Sequence, residues 1–451
     1  MEENRNTLRD TMVKLLENKS YSTLRDILNT MNAADISILF EELPADRLPL
    51  LFRLLPKEVA ADTFVEMESD AQEMLIHGFS DTELREIIEE LYLDDAVDIV
   101  EEMPANVVKR ILLNTDPHTR KTINELLQYP DDSAGSLMTI EYVSLRINMT
   151  VEDAIKRIRR TGIDKETIYT CYVTTDDRKL LGIVTAKALL LADEDTPISD
   201  IMETHIITAK TLDDKEDVAN KFNKYDLIAL PVVDDENRLV GIVTFDDAID
   251  VIQDEATEDI EKMAAIMPTD KPYFKTNIFE TYKSRIPWLL LLMVSATFTG
   301  KIISSFEDAL ATQIVLTAFI PMLMDTGGNS GGQASVTIIR GLSLGDIEFR
   351  DIFKVLWKEF RVATLCGLTL SICNFAKIII FDGIAMEIAF VICITLLITV
   401  IIAKLIGCTL PIFAQKIGFD PAVMASPFIT TIVDAISLLI YFRIASVMSG
   451  L

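Results

Sequence analysis

Asp434 stands in the middle of the apolar run Met424–Val447. That run is long enough to cross a bilayer as a helix. A carboxylate at its centre costs about 2.5–3.5 kcal/mol on insertion scales, so its chemistry is that of an ion pathway or a proton relay. Pro427, Thr430 and Asp434 fall on one helical face, where Pro427 frees a carbonyl one turn earlier and the two side-chain oxygens form a polar stripe. The bland reading is a structural salt bridge from Asp434 to Arg443 or Lys404. A second irregularity is Asp325-Thr326-Gly327-Gly328-Asn329-Ser330-Gly331-Gly332-Gln333. Glycines this dense in an apolar segment lay backbone bare to a cavity or to a neighbouring helix.

The donor types narrow the ion. One embedded carboxylate per chain suits Mg²⁺, a hard cation held through one or two carboxylates plus water. Ca²⁺ calls for more direct oxygen ligands and soft metals for Cys or His. A membrane potential supplies about 2.3 kcal/mol per charge per 100 mV, enough to draw a divalent cation inward. Accordingly the chain carries no Walker A sequence. Mn²⁺ and Co²⁺ share this chemistry and stay open.

Five apolar segments must position these residues: Ile286–Ser305, Thr312–Arg340, Phe353–Phe381, Ile384–Leu410 and Met424–Val447. Lys271, Lys275, Lys283 and Arg285 precede the first, Arg340, Arg350, Lys354, Lys358 and Arg361 surround the second connection, and Lys416 lies in the fourth. The opposite connections hold only Lys301 and Lys377. The positive-inside rule then predicts a multi-pass plasma (inner) membrane protein with cytoplasmic N-terminal domains and an outside C-terminus. The stretch MEENRNTLRD has no apolar core, so no cleavable signal peptide is expected.

Residues 1–270 carry the acidity, with a net charge of −30 against +2 for residues 271–451. Such a surface repels nucleic acid and anionic lipid and attracts divalent cations. The five cysteines form no CxxC pair and read as small apolar residues. His77 and His118 stand alone, and no nucleophile–base constellation appears, so the chain does not read as an enzyme.

Residues 1–132 read as helices in weak repeats. Asp35-Ile36…Pro44 is echoed by Asp95-Ala96…Pro104, with Leu54-Leu55-Pro56 between, which predicts a small superhelix of stacked units. Residues 133–254 hold a duplication, in which Leu181-Gly182-Ile183-Val184-Thr185 matches Val240-Gly241-Ile242-Val243-Thr244 and short strands alternate with helices. This resembles a tandem pair of cystathionine-β-synthase-type (CBS) domains. The resemblance implies a regulatory module with a ribose-anchoring Gly-x-x-Thr-x-x-Asp pattern. The second copy has Gly241, Thr244 and Asp247, whereas Ala188 replaces the acid in the first. A bound nucleotide, ATP in particular, would therefore favour the second site.

From Phe245 to Glu261 the chain is dense in acids, with Asp247, Asp250 and Asp254 on one helical face and Glu255, Glu258 and Asp259 further on. Like charges at these spacings destabilise a helix unless multivalent cations offset them. An ordinary solvated helix is the alternative.

Across its whole length the chain resembles the MgtE-type magnesium channels of bacteria. The resemblance rests on the order of its parts and on Tyr129–Thr139, Pro321–Gln333 and Asp420-Pro421-Ala422 leading to Asp434. It implies a multidomain α-rich fold: a cytosolic helical superhelix (1–132), an α/β tandem CBS pair (133–254), an acidic connecting plug helix (255–283) and a five-helix transmembrane pore domain (284–451). It implies a homodimer whose pore, lined by the second and fifth segments, holds hydrated Mg²⁺ at Asp434, Thr430 and Asn329. It also implies feedback, in which regulatory Mg²⁺ closes the pore by filling sites among Asp94, Asp95, Asp98, Asp247, Asp250, Glu255, Glu258, Asp259 and Asp420. Two other classes remain open on the residues alone, an ion-coupled secondary divalent-cation transporter and a nucleotide-regulated receptor without flux.

Overall fold

The computed structural model describes residues 2–269, 273–274, 276–306, 314–424 and 426–449. Lys271, Lys275 and Thr312, used above for orientation and segment limits, lie outside the described residues. The chain divides into two compact units, Met1–Ile252 and Gln253–Leu451.

The first unit opens with ten short helices, from α1 (Glu2–Glu17) and α2 (Tyr21–Leu28) to α3 (Ala33–Glu41), α4 (Leu48–Phe52), α5 (Lys57–Val65), α6 (Ser69–Gly78), α7 (Asp81–Ile88), α8 (Leu93–Glu102), α9 (Ala105–Asn114) and α10 (Pro117–Leu126). Proline sets their boundaries. Pro56 and Pro104 are the N-caps of α5 and α9, where a missing amide hydrogen costs nothing. Ser80 and Glu83 form a capping box on α7, and Asp116 caps α10. Helix α3 packs on α5, α5 on α7 and α7 on α9, while α4 packs on α6 and α8 on α10. This stacking of alternate helices is the superhelix that the repeats predict.

Two three-stranded sheets follow, and they match strand for strand. Strands β1 (Tyr142–Arg146), β2 (Thr167–Thr174) and β3 (Leu180–Thr185) correspond to β4 (Ala209–Lys210), β5 (Ala229–Val233) and β6 (Leu239–Thr244), each set ordered parallel then antiparallel. Val173 pairs with Gly182, and Val232 pairs with Gly241. Pro231 sits in the central strand β5, tolerated because β4 begins only opposite Val232. Helices α11 (Val151–Thr161), α12 (Ala186–Leu191), α13 (Ile198–Ile201) and α14 (Lys215–Tyr225) fill out the α/β pair. One apolar core runs from Leu24 and Phe64 of the helices through Met138 to Leu230 and Val243 of the second sheet. The superhelix and the second CBS motif are therefore packed as one body.

Helix α15 (Phe245–Met263) carries the acidic stretch, its residues to Ile252 in the first unit and the rest in the second. The second unit is otherwise helical: α16 (Ile278–Ser305), α17 (Ile320–Ser343), α18 (Ile352–Lys377), α19 (Met386–Lys416) and α20 (Ser426–Ser449). Four of its segments, all but α17, are long and apolar enough to cross a membrane. Helix α17 is continuous, but its apolar character is broken by the polar and glycine residues already noted. The helix ends differ from the hydropathy limits. Helix α16 begins eight residues before Ile286, taking in Lys283 and Arg285, and α19 continues past Leu410 through Pro411 to Lys416. Hydropathy marks only the apolar centre of a helix, whereas an amphipathic end satisfies its backbone without being apolar.

Candidate functional site

The GGNSGG run faces neighbouring helices. A Cβ at Gly331 would lie 2.8 Å from Ile429 and 3.1 Å from the Ala403 carbonyl. One at Gly328 would lie 2.8 Å from the Thr430 methyl, and one at Gly327 3.0 Å from Val433. At Gly407 a Cβ would fall 2.2 Å from the Gly331 carbonyl oxygen, so backbone touches backbone. Glycine is required because the side chains of Ile429, Thr430 and Val433 on α20, and the α19 backbone at Ala403 and Gly407, pack directly on the backbone of α17. The opposite face of α17 presents Asp325, Asn329 and Gln333, one helical turn apart and all exposed in the protomer. A polar stripe on a membrane helix needs water or a protein partner rather than lipid.

Asp434 is half-buried on α20, and its Oδ1 is buried with no hydrogen-bond partner. Neither Arg443 nor Lys404 pairs with it among the described residues. Arg443 is exposed, and Lys404 is buried elsewhere, on α19. The salt-bridge reading of Asp434 is therefore not what these helices build. The charge that acts on Asp434 is another carboxylate, Asp325. Thr430 is half-buried with its methyl against Gly328, and Asn329 lies on the exposed polar stripe.

A second constellation lies in the first unit. A cavity of about 240 Å³ is lined by Asp62, Glu66, Glu90, Asp94, Asp95, Glu166, Asp246 and Asp247, and no lysine or arginine lines it among the described residues. Oxygens of Asp94, Glu141 and Glu166 all lie within 4.8 Å of one another, a spacing that suits a divalent cation. Asp94 is only 7% exposed. Burial first, then the charges of Asp247, Glu166 and Asp95, hold its carboxyl well above the usual range. Asp95 is pushed up to about 7 by burial and by Asp247. Glu166 is pushed up to about 8 by burial and then Asp95 and Asp246, and its Oε2 has no hydrogen-bond partner. Burial raises Asp247 to about 6, against the hydrogen bond that Thr244 donates to it at 2.5 Å. Glu141 is raised by burial although it accepts from the Leu93 amide at 3.1 Å.

Of the residues expected from sequence, Asp94, Asp95 and Asp247 meet here, and Asp98 lies one turn along α8 with Asp247 as the foremost charge acting on it. Asp250 acts on Asp247 from one turn along α15 and does not line the cavity, nor does Glu255. Sequence reasoning missed Asp62, Glu66, Glu90, Glu141, Glu166 and Asp246. Only Asp246 carried a local signal, as the neighbour of Asp247.

A third cluster, within the second unit, joins Glu258, Asp259 and Asp420. Lys262 Nζ donates to Glu258 Oε1 at 2.5 Å and to Asp420 Oδ2 at 2.7 Å. Burial alone would lower Lys262, but these two contacts outweigh it and raise it. Asp259 is raised by burial and then by Asp420, with Lys262 and Arg340 opposing. Asp420 Oδ1 also accepts from the Ala422 amide at 2.7 Å. Lys262 is thus the centre of the cluster, a role the acids alone did not reveal.

The nucleotide residues have structural duties as well. A Cβ on Gly241 would sit 2.7 Å from Met138 Sδ and from the Thr139 carbonyl oxygen, while Thr139 and Ile242 exchange backbone hydrogen bonds of 2.8 Å. Gly182 meets Met202 and Glu203 in the same way. The repeated glycine therefore admits a backbone segment that bridges to the strand edge, whatever binds beside it.

Three family models match the chain. These are the divalent cation transporter MgtE over residues 320–444, the MgtE intracellular N domain over 31–132, and the CBS domain over 134–195 and 198–254. A magnesium transporter MgtE of Thermus thermophilus is 36% identical over 439 residues, 96% of this chain and 97% of that protein. The magnesium transporter MgtE of Bacillus subtilis is 34% identical over 436 residues, 96% of each chain. The solved cytosolic domain of the Mg²⁺ channel MgtE in complex with ATP aligns with a TM-score of 0.51 at 37% identity, covering 54% of this chain and 99% of that one. The soluble part of a magnesium transporter aligns with a TM-score of 0.52 at 31% identity, covering 56% and 99%.

Proposed function

The chain belongs to the MgtE family of magnesium transporters, and from that premise we propose that it is a Mg²⁺-selective uptake channel of the plasma membrane, closed by Mg²⁺ on its cytoplasmic side. The observation that carries the reading is Asp434, a carboxylate on an apolar helix whose buried oxygen has no partner among the described residues. A hydrated divalent cation supplies what that oxygen lacks, with Thr430 and Asn329 as further oxygen donors along the path. Two copies of the chain would close the exposed polar stripe of α17 around a shared pore, giving a homodimer with cytoplasmic N-terminal domains.

Feedback rests on the acidic cavity of the first unit. Its carboxylates repel one another when ionised, and bound Mg²⁺ removes that repulsion, so high internal Mg²⁺ favours the compact, closed arrangement. The cluster of Glu258, Asp259 and Asp420 would pass that state to the membrane helices. ATP would bind beside Gly241, Thr244 and Asp247, as a related cytosolic domain was solved with ATP. Asp247 then belongs to both sites, so nucleotide and Mg²⁺ would modulate one another.

The test is patch-clamp of the purified protein in liposomes while Mg²⁺ is stepped on the cytoplasmic face. The expected result is a Mg²⁺ current that shuts as cytoplasmic Mg²⁺ rises. Current without closure would discard the feedback. No current, with uptake that follows a proton or sodium gradient, would replace the channel by an ion-coupled transporter, in which Asp434 and Asp325 relay the coupling ion.

A further inference from the structure

Lys404 is 5% exposed on α19, the most apolar of the membrane helices. Among the described residues its ammonium makes no hydrogen bond and no ion pair. It lines a cavity of about 510 Å³ bounded by α17, α18 and α19, together with Asp325, Asn329 and Gln333. Among the described residues Asp325 is the only acidic group lining that cavity, and it too has no ion pair. The two helices cannot slide to separate them, because Gly407 of α19 and Gly331 of α17 meet backbone to backbone. A lysine buried in an apolar helix is costly unless a charge answers it, and Asp325 is the acidic group that lines the same cavity among the described residues.

Asp325 has a second neighbour. Helices α17 and α20 run antiparallel, with Gly331 against Ile429, Gly328 against Thr430 and Gly327 against Val433. One step further brings Asp325 abreast of the segment that begins at Asp434, the carboxylate on which it acts. Asp325 is therefore shared between a fixed ammonium on one side and the proposed ion site on the other.

Resting on the transport reading above, we infer that Lys404 is a tethered counter-cation for Asp325, which keeps Asp325 from joining Asp434 as a second carboxylate ligand and so sets how tightly the passing divalent cation is held. A conducting site must bind the ion firmly enough to admit it and weakly enough to release it. Lys404 acts through Asp325 and is a positioning residue rather than a ligand.

The experiment compares Mg²⁺ flux against Mg²⁺ concentration for the full chain in liposomes, as wild type, K404M, K404Q, K404R, D325N and D325N/K404M. Removing the ammonium frees Asp325 to grip the ion, so K404M and K404Q lower the half-saturating Mg²⁺ roughly tenfold and reduce the maximal flux. K404R retains wild-type values because the charge remains. D325N/K404M returns the half-saturation to within about twofold of wild type, since the ion again meets Asp434 alone. Methionine in an apolar helix removes an insertion cost, so K404M should assemble normally. Unchanged half-saturation in both neutral variants, or effects of D325N and K404M that simply add, would overturn the inference and leave the transport reading intact. A wild-type protein that moves no Mg²⁺ at all would remove both.

Discussion

Around the cavity at Asp94 eight carboxylates meet and no lysine or arginine lines it among the described residues, whereas Glu258 and Asp420 share the Lys262 ammonium at 2.5 and 2.7 Å. The same acidic residue type is left uncompensated in one region and neutralised internally in the other. The first cluster can change its charge state only by taking protons or cations from solution, which is what a sensor requires. The second already holds a cation of its own, so it can transmit a state set elsewhere. Net acidity does not distinguish the two; the position of a single lysine does.

The largest expected effect takes Asp434 out of the comparison altogether. Asp434→Asn should cut Mg²⁺ uptake tenfold or more, the factor that about 1.4 kcal/mol of lost ion stabilisation gives. Isotope-independent dye flux in liposomes reads it, and wild-type uptake in this variant would remove the pore assignment.

Next, Asp94, Asp95 and Asp247 replaced together by Asn should make the sensor cluster resemble a neutral surface. Limited proteolysis of the full chain should then give the same rate with and without Mg²⁺, whereas Mg²⁺ should protect the wild type several-fold. Protection that persists would move the sensor away from this cavity.

A pH titration sharpens the contrast without mutation. The carboxyls at Asp95, Asp247 and Glu166 lie at about 7, 6 and 8 in the folded unit, above their unfolded values. Groups raised in this way contribute stability that is present below the unfolded range near pH 4 and is lost as pH climbs through 6 to 8. Without divalent cations the first unit should therefore loosen progressively from about pH 4 to 8 and level off above, and the Mg²⁺ concentration that restores protection should fall over the same window as protons cease to compete. Thermal melts at fixed ionic strength measure both trends, and a flat profile would contradict the burial of these groups.

The smallest effect should come from Lys262→Met, which converts the second region into the first kind. Closure should become steeper in Mg²⁺, with its midpoint shifted roughly twofold to fivefold upward, because an external ion must replace the lost ammonium. An unchanged closing curve would mean that Glu258 and Asp420 need no counter-charge.

Much of the architecture was legible. The recurrence of Asp-apolar-…-Pro units announced the stacked helices, and the doubled Gly-Ile-Val-Thr announced the paired sheets. Asp434 was conspicuous because a charge in an apolar run violates a solvent rule that can be seen locally. Glu141 and Glu166 were invisible for the opposite reason. Each is an ordinary acid beside an ordinary strand, and only the tertiary fold brings them within reach of Asp94. Lys262 was overlooked because a stretch dense in acids was read for its acids. Lys404 was considered only as a partner for Asp434, since nothing in the sequence says which face of α19 turns toward Asp325.

The backbone contact between Gly331 and Gly407 has a mechanical consequence. Where two helices touch through side chains, they can trade one set of interdigitations for another and ratchet by a residue or a turn. Here a carbonyl oxygen occupies the volume that any side chain at 407 would need. A one-residue slip of α19 would bring Ile406 or Cys408 into that space. The two rods are keyed like a shaft and hub. Relative sliding of α17 and α19 is therefore blocked, and the two helices form one rigid pair at this crossing.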